Sequence, residues 1–241
     1  MNKIDIRGIM IADVTMDEAV SFISSRLKDK ICTSVFTPNS EIAQLAIDDP
    51  ALSEALNRCD IAVPDGVGIV KASRILGCPL REKVAGVELG MRVLAVAEKC
   101  GYSVFLYGGK VGIAETAAER LTNKFPKLKI AGCLNGYKKD NDAVIRKINS
   151  SGADILFVCL GAPKQELWID RNKNKLSKVS LFLGLGGSLD VYAGAVKRAP
   201  RIFIKLNLEW LWRLMVQPKR IFRMTALPRF YFGTWIYRFK R

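Results

Sequence analysis

The chain has 241 residues, 49% of them hydrophobic, enough for a sizeable core and far from the composition of a disordered or fibrous protein. Its net charge of +15 sits mostly at one end, where residues 197–241 hold twelve Lys/Arg against the single acid Glu209, along with ten of the 21 aromatics. Residues 1–196 therefore read as a near-neutral body, and residues 197–241 as an appendage suited to a polyanion, whether a phosphate-bearing ligand, nucleic acid or an anionic membrane surface.

The opening MNKIDIRGIM lacks the apolar stretch of a secretory signal, so a cytoplasmic body is expected. KIDIRGIMIADVT predicts two short strands around Gly8, a hairpin. Thr15 with Glu18 three residues on forms a capping box for the helix that follows. Strand-like runs then alternate with helical patterns: CTSVF (32–36), IAV (61–63), YSVFLY (102–107), KIAGC (129–133), DILFVCL (154–160) and VSLFLGL (179–185). Such alternation predicts an α/β fold with a mainly parallel sheet covered on both faces. The six cysteines are scattered with no C-x-x-C pair, which argues against a zinc site or a disulfide framework.

Each predicted strand is followed by a polar or glycine-rich stretch: TPNSE (37–41), PDG (64–66), GGK (108–110), NGYKKDND (135–142), GAPKQE (161–166) and GLGGSLD (184–190). In an open parallel sheet these loops converge on the rim where ligands bind. Asp65 reads either as a turn acid that caps the next helix or as a general base, the latter made attractive by the absence of histidine. YGGKVG and GLGGSL are incomplete G-x-G-x-x-G motifs, the second having Leu189 at its last position, and KIAGC lacks the acid that would hold a nicotinamide ribose. They read as tight turns or as places where a nucleotide approaches the backbone. Lys164, Gln165 and Glu166 open a helix whose amides suit an anion. Asp140-Asn141-Asp142 has the form of a metal-holding D-x-D but also starts a helical pattern, so capping explains it.

In the appendage, Lys205, Glu209 and Arg213 are spaced as one polar stripe along a helix that Pro218 ends, with Arg220, Arg223 and Arg229 following among aromatics. No run of about 18 uncharged apolar residues occurs, so no membrane span is expected. The apolar face could dock on the body, on a second copy in a homo-oligomer, or on lipid; the basic-aromatic mixture favours a membrane surface. Nucleic-acid binding is the competing use of the charge, but it leaves the converging glycine loops without a purpose.

TPNSEIAQLA, VPDGVGIVKASRILG, KVAGVEL, FLYGGK, LFVCLGAPKQELWI, GLGGSLDVYAGAVKRAP and LEWLWRL followed by PKRIFRM occur in order at sensible spacing. In these blocks the chain resembles, over essentially its whole length, the WecG/TagA/CpsF glycosyltransferases, bacterial N-acetylmannosaminyltransferases that include the wall teichoic acid linkage-unit enzymes. The resemblance implies a Rossmann-like catalytic domain over 1–196 and a membrane-docking appendage over 197–241. It implies an inverting transfer of N-acetylmannosamine from its UDP-sugar to N-acetylglucosamine on undecaprenyl diphosphate, at the inner face of the cell membrane, without metal, other cofactor or nucleic acid. Asp65 corresponds to the proposed base. Thr37, Asn39, Gly108, Gly109, Tyr137, Gln165, Gly186 and Asp190 correspond to substrate-binding positions, as do Arg213, Arg220 and Arg223 of the appendage. Relatives often carry arginine before V-A-G; this chain has Lys83, which keeps the charge but lacks the bidentate fork.

Overall fold

The structure is a computed structural model that describes residues 1–197, 199–206, 208–216 and 225–240. The chain opens with an antiparallel hairpin, β1 (Lys3–Ile6) and β2 (Ile9–Ala12), and helix α1 (Met16–Lys28). The capping box is formed: the Glu18 N–H donates to Thr15 Oγ1 at 3.2 Å and the Thr15 N–H to Glu18 Oε2 at 2.9 Å. There follow β3 (Thr33–Phe36), α2 (Ser40–Asp48), α3 (Pro50–Arg58), β4 (Ile61–Ala62), α4 (Val67–Ile75), α5 (Gly86–Cys100) and β5 (Ser103–Gly108). Next come α6 (Ile113–Lys124), β6 (Lys129–Leu134), α7 (Asn141–Ser151), β7 (Ile155–Cys159), α8 (Lys164–Asn172), β8 (Leu181–Gly184) and α9 (Ser188–Tyr192). The final described helices are α10 (Arg201–Lys205), α11 (Glu209–Val216) and α12 (Ala226–Lys240).

All six expected strands form one sheet in the order β4-β3-β8-β7-β5-β6, every neighbouring pair parallel. Because side chains alternate across a strand, buried strands feed two cores at once. Phe105, Tyr107, Leu156 and Val158 join the hairpin isoleucines, α2, α3 and α8 on one face. Val104, Leu106, Ile155 and Phe157 meet α1, α5 and α6 on the other. The hydrophobic runs are long because both faces are covered.

An all-parallel sheet also puts the six strand-following loops on one rim. The chain leaves β3 outward to β4 while β8 lies on the other side of β3, and it leaves β5 outward to β6 while β7 lies on the other side. Each reversal opens a crevice at the carboxyl ends of the strands. Asp140 caps α7, its carboxylate accepting the Ala143 N–H at 3.0 Å.

The appendage departs from expectation at one point. Lys205, Glu209 and Arg213 do not share a continuous helix, because the chain breaks between α10 and α11. There the Leu208 N–H closes on the Phe203 carbonyl at 2.8 Å, and Phe203 packs on Trp212 with ring centroids 5.4 Å apart. The two helices meet across that contact. Of Arg213 only the backbone is described, and Arg220, Arg223 and Pro218 lie outside the described residues.

The last helix, α12, is seated on α2 and α4. Phe230 is fully buried among Ile6, Ile69 and their neighbours. Arg7 donates to the Phe230 carbonyl at 3.2 Å, Arg229 pairs with Asp48 at 2.9 Å, and the Tyr237 hydroxyl reaches Asp5 at 3.3 Å. The opposite side of α12 exposes Phe232, Trp235, Ile236 and Phe239, one stripe at helical spacing. Among the described residues no helix is long and apolar enough to cross a membrane.

Candidate active site

A cleft of about 940 Å³ opens at the β3/β8 crevice, between the rim loops and the appendage. Its body wall is assembled from backbone-anchored side chains. Thr37, just past β3, donates its hydroxyl to the Gly184 carbonyl at the end of β8 at 3.1 Å, tying the two loops that flank the crevice. Asn39 caps α2, accepting the Ile42 N–H at 3.0 Å.

Asp65 is held in place by its own N–H, which donates to the Pro38 carbonyl at 3.1 Å, so the PDG turn is laced to the TPN loop. The next residue has φ +85°, a left-handed conformation that glycine adopts without penalty, and Gly66 occupies it. Gly68 is required for a different reason. A methyl group there would collide with Ser40 Oγ, so α4 can approach α2 only without a side chain at that position.

Gln165 stands at the start of α8, 1% exposed. Its Oε1 accepts the Gly186 N–H at 2.8 Å and its Nε2 donates to Glu166 Oε1 at 2.8 Å. The amide is thus oriented by contacts on both sides. Glu166 is itself 1% exposed, and its Oε2 has no hydrogen-bond partner among the described residues. Burial without a cation pushes its carboxyl up to about 7, the Gln165 bond opposing the shift.

The appendage supplies the other wall. Lys83 Nζ pairs with Glu209 Oε2 at 2.8 Å, with Trp210 and Leu214 of α11 alongside. From α12 come Leu227, Pro228 and Tyr231, whose phenol is raised by burial.

Thr37, Asn39, Asp65, Gln165 and Gly186 therefore line one cleft. Gly108, Gly109, Tyr137 and Asp190 lie outside that lining. The first two sit at the β5/β7 crevice, where the Gly109 N–H donates to the Cys159 carbonyl at 3.2 Å and the Gly136 N–H to the Gly109 carbonyl at 2.9 Å. A side chain at Gly108 would collide with that Cys159 carbonyl. Tyr137, 67% exposed, follows β6 above this crevice. Asp190 occupies the first turn of α9, and its carbonyl accepts the Val196 N–H at 3.0 Å. Sequence reasoning passed over Lys71, Arg74 and Tyr231. For the first two the signal was available as G-x-x-K-x-x-R, a helical stripe directly after the PDG turn.

The profile of the glycosyl transferase WecG/TagA/CpsF family matches residues 4–241. The chain belongs to this family. Among its relatives is a protein of Bacillus spizizenii named N-acetylglucosaminyldiphosphoundecaprenol N-acetyl-beta-D-mannosaminyltransferase, 37% identical over 90% of this chain and 86% of its own length. Proteins of the same name from Bacillus subtilis strain 168 and Staphylococcus aureus strain NCTC 8325 are 37% and 36% identical, over 85% and 95% of this chain and 79% and 90% of theirs. In this WecG/TagA/CpsF glycosyltransferase the cleft brings Asp65 beside neutral hydrogen-bonding groups, with the Lys83–Glu209 ion pair where body and appendage meet.

Proposed function

We propose that this protein transfers N-acetylmannosamine from UDP-N-acetylmannosamine to N-acetylglucosamine on undecaprenyl diphosphate, with inversion, in linkage-unit or related surface-polysaccharide synthesis. The observation that carries the reading is the meeting of Asp65, Asn39, Thr37, Gln165 and Gly186 in one cleft, in a member of this family. The relatives' shared name supplies the two sugars.

In this reading Asp65 takes the proton from the acceptor hydroxyl as that oxygen attacks the anomeric carbon from the face opposite the nucleotide. The bond from that carbon to the UDP oxygen breaks, and its electron pair leaves with the diphosphate. Gln165 and Asn39 orient the N-acetylated sugar, and Thr37 keeps the crevice at its width. The nucleotide lies towards the β5/β7 crevice, with Gly108 and Gly109 giving its backbone approach and Tyr137 and Asp190 at its borders. Three strand spacings, roughly 14 Å, separate the ends of β3 and β5, about the reach of a nucleotide diphosphate. Lys83 and the appendage arginines Arg213, Arg220 and Arg223 offset the charge developing on UDP. The exposed stripe of α12, flanked by Arg229, Arg238 and Lys240, rests on an anionic leaflet and keeps the protein peripheral to the membrane at its inner face.

UDP release with a lipid-diphosphate N-acetylglucosamine acceptor tests the reading. Asp65→Asn, folded like the native chain, is expected to lose a hundredfold or more in rate. Equal rates in the two proteins would remove Asp65 as the base, and turnover only with a different UDP-sugar would move the donor.

A further inference from the structure

One face of α4 lines the cleft from end to end. Val67, Gly68, Lys71, Arg74 and Ile75 recur at helical spacing, and all of them border the cavity. Lys71 and Arg74 are exposed. Among the described residues neither is paired with a carboxylate, although Arg26, Arg58, Arg81 and Arg229 all are. Leu214 of α11 and Leu227 and Pro228 of α12 border the same cavity. The cleft thus holds two cations with no carboxylate partner among the described residues, together with an apolar lining. An anionic group joined to a hydrocarbon chain matches both at once.

Spacing along α4 sets how far these cations lie from the base. Asp65 stands immediately before the helix; Lys71 is about 6 Å and Arg74 about 10 Å beyond Val67 at the α-helical rise. A pyranose ring spans roughly one helical turn, about 5 Å. A sugar whose hydroxyl meets Asp65 therefore presents the substituent at its other end to these two cations. We propose that Lys71 and Arg74 form the seat for the diphosphate of a prenyl-diphosphate-linked acceptor sugar, with Ile75, Leu214, Leu227 and Pro228 receiving the first isoprene units. The assignment rests on Asp65 as the base of a lipid-linked acceptor, as argued above. It gives α4 two tasks, presenting the base at its start and holding the acceptor's leash along its side.

The test is steady-state kinetics of a Lys71→Ala/Arg74→Ala double variant with a short-chain prenyl-diphosphate N-acetylglucosamine in detergent. The acceptor KM is expected to rise tenfold or more, with the UDP-sugar KM within twofold of native. Lys71→Arg/Arg74→Lys should recover most of the loss, and Lys178→Ala, ahead of β8 at the amino-terminal ends of the strands, should behave as native. With an acceptor whose diphosphate is replaced by a neutral linker, the double variant and the native protein should match. A rise in the UDP-sugar KM alone would assign the cations to the donor diphosphate and overturn the proposal. Weaker binding to acceptor-free anionic vesicles with an unchanged acceptor KM would make them headgroup contacts, and would overturn it too. Should the native protein fail to turn over this pair, the function proposed above fails on its own. Intrinsic tryptophan fluorescence, to which the cleft residue Trp210 contributes, still decides the seat on titration with the prenyl-diphosphate sugar, a tenfold weaker affinity in the double variant supporting it and an equal affinity refuting it.

Discussion

At the β3/β8 crevice the body's polar groups are fixed to backbone or buried: Thr37 to Gly184, Asn39 to Ile42, Gln165 between Gly186 and Glu166. On the appendage side short helices break and restart, and the contacts are an ion pair, aromatic edges and aliphatic side chains. The first wall has one arrangement available to it, because moving any member leaves a buried donor or acceptor unpaired. The second is held chiefly where α12 inserts Phe230 into the body. A precise half and an adjustable half suit a reaction in which one partner is a small sugar nucleotide and the other is tethered in a membrane.

The largest effect should come from removing that insertion. Phe230→Ala is expected to cost about 3–5 kcal/mol, as truncation of a fully buried aromatic does, seen as a lower denaturant midpoint with little change in its slope. A loss below 1 kcal/mol would mean that α12 is not what holds the second wall. Next is the pH dependence of the first wall. Glu166 titrates near 7 in the folded chain against 4.5 as its ordinary value, so the native state holds the proton more tightly. Its stabilising effect is full below about pH 4.5 and fades as pH rises to about 7, a change of roughly 3 kcal/mol. Urea unfolding of native protein and Glu166→Gln between pH 4.5 and 8 should show this slope in the first and not in the second. A smaller effect, about 1–3 kcal/mol, is expected for Gln165→Ala, which strands the Gly186 N–H and removes the side-chain donor that Glu166 Oε1 accepts from. The smallest belongs to Lys83 and Glu209, each about a quarter exposed. A double-mutant cycle should give a coupling of at most about 1 kcal/mol. A much larger value would make the appendage wall as fixed as the body wall.

The six strands were legible because each is an apolar run closed by turn residues, and the Thr15 capping box because it is a local pattern. Local patterns also gave the rim loops, since parallel strands leave them only one edge. Three features were not legible. Glu166 reads as an ordinary first-turn acid, and only its long-range packing under the β8 loop buries it. The break between α10 and α11, spanned by the Phe203–Trp212 contact, is not anticipated by four-residue spacing. The sequence of α12 mixes aromatic and basic residues all round, so its buried side shows only once α2 and α4 are there to receive it. The glycines at 108 and 109 were visible as turn makers; that Gly108 also lets β5 press against β7, and Gly109 lets the turn close on Ile113 of α6, required the fold.

The bond from Arg7 to the Phe230 carbonyl, together with the Tyr237 hydroxyl on Asp5, has a consequence for the protein's birth. The first hairpin emerges from the ribosome early, yet the helix bonded to it is made more than 200 residues later. At ordinary elongation rates of about 5–20 residues per second that interval is roughly ten to forty seconds. Through it the faces of α2 and α4 that receive α12 stand bare in a crowded cell. Nascent chains of this protein should therefore depend on chaperones until α12 is released, and stalling just before Ala226 should leave a chain that aggregates.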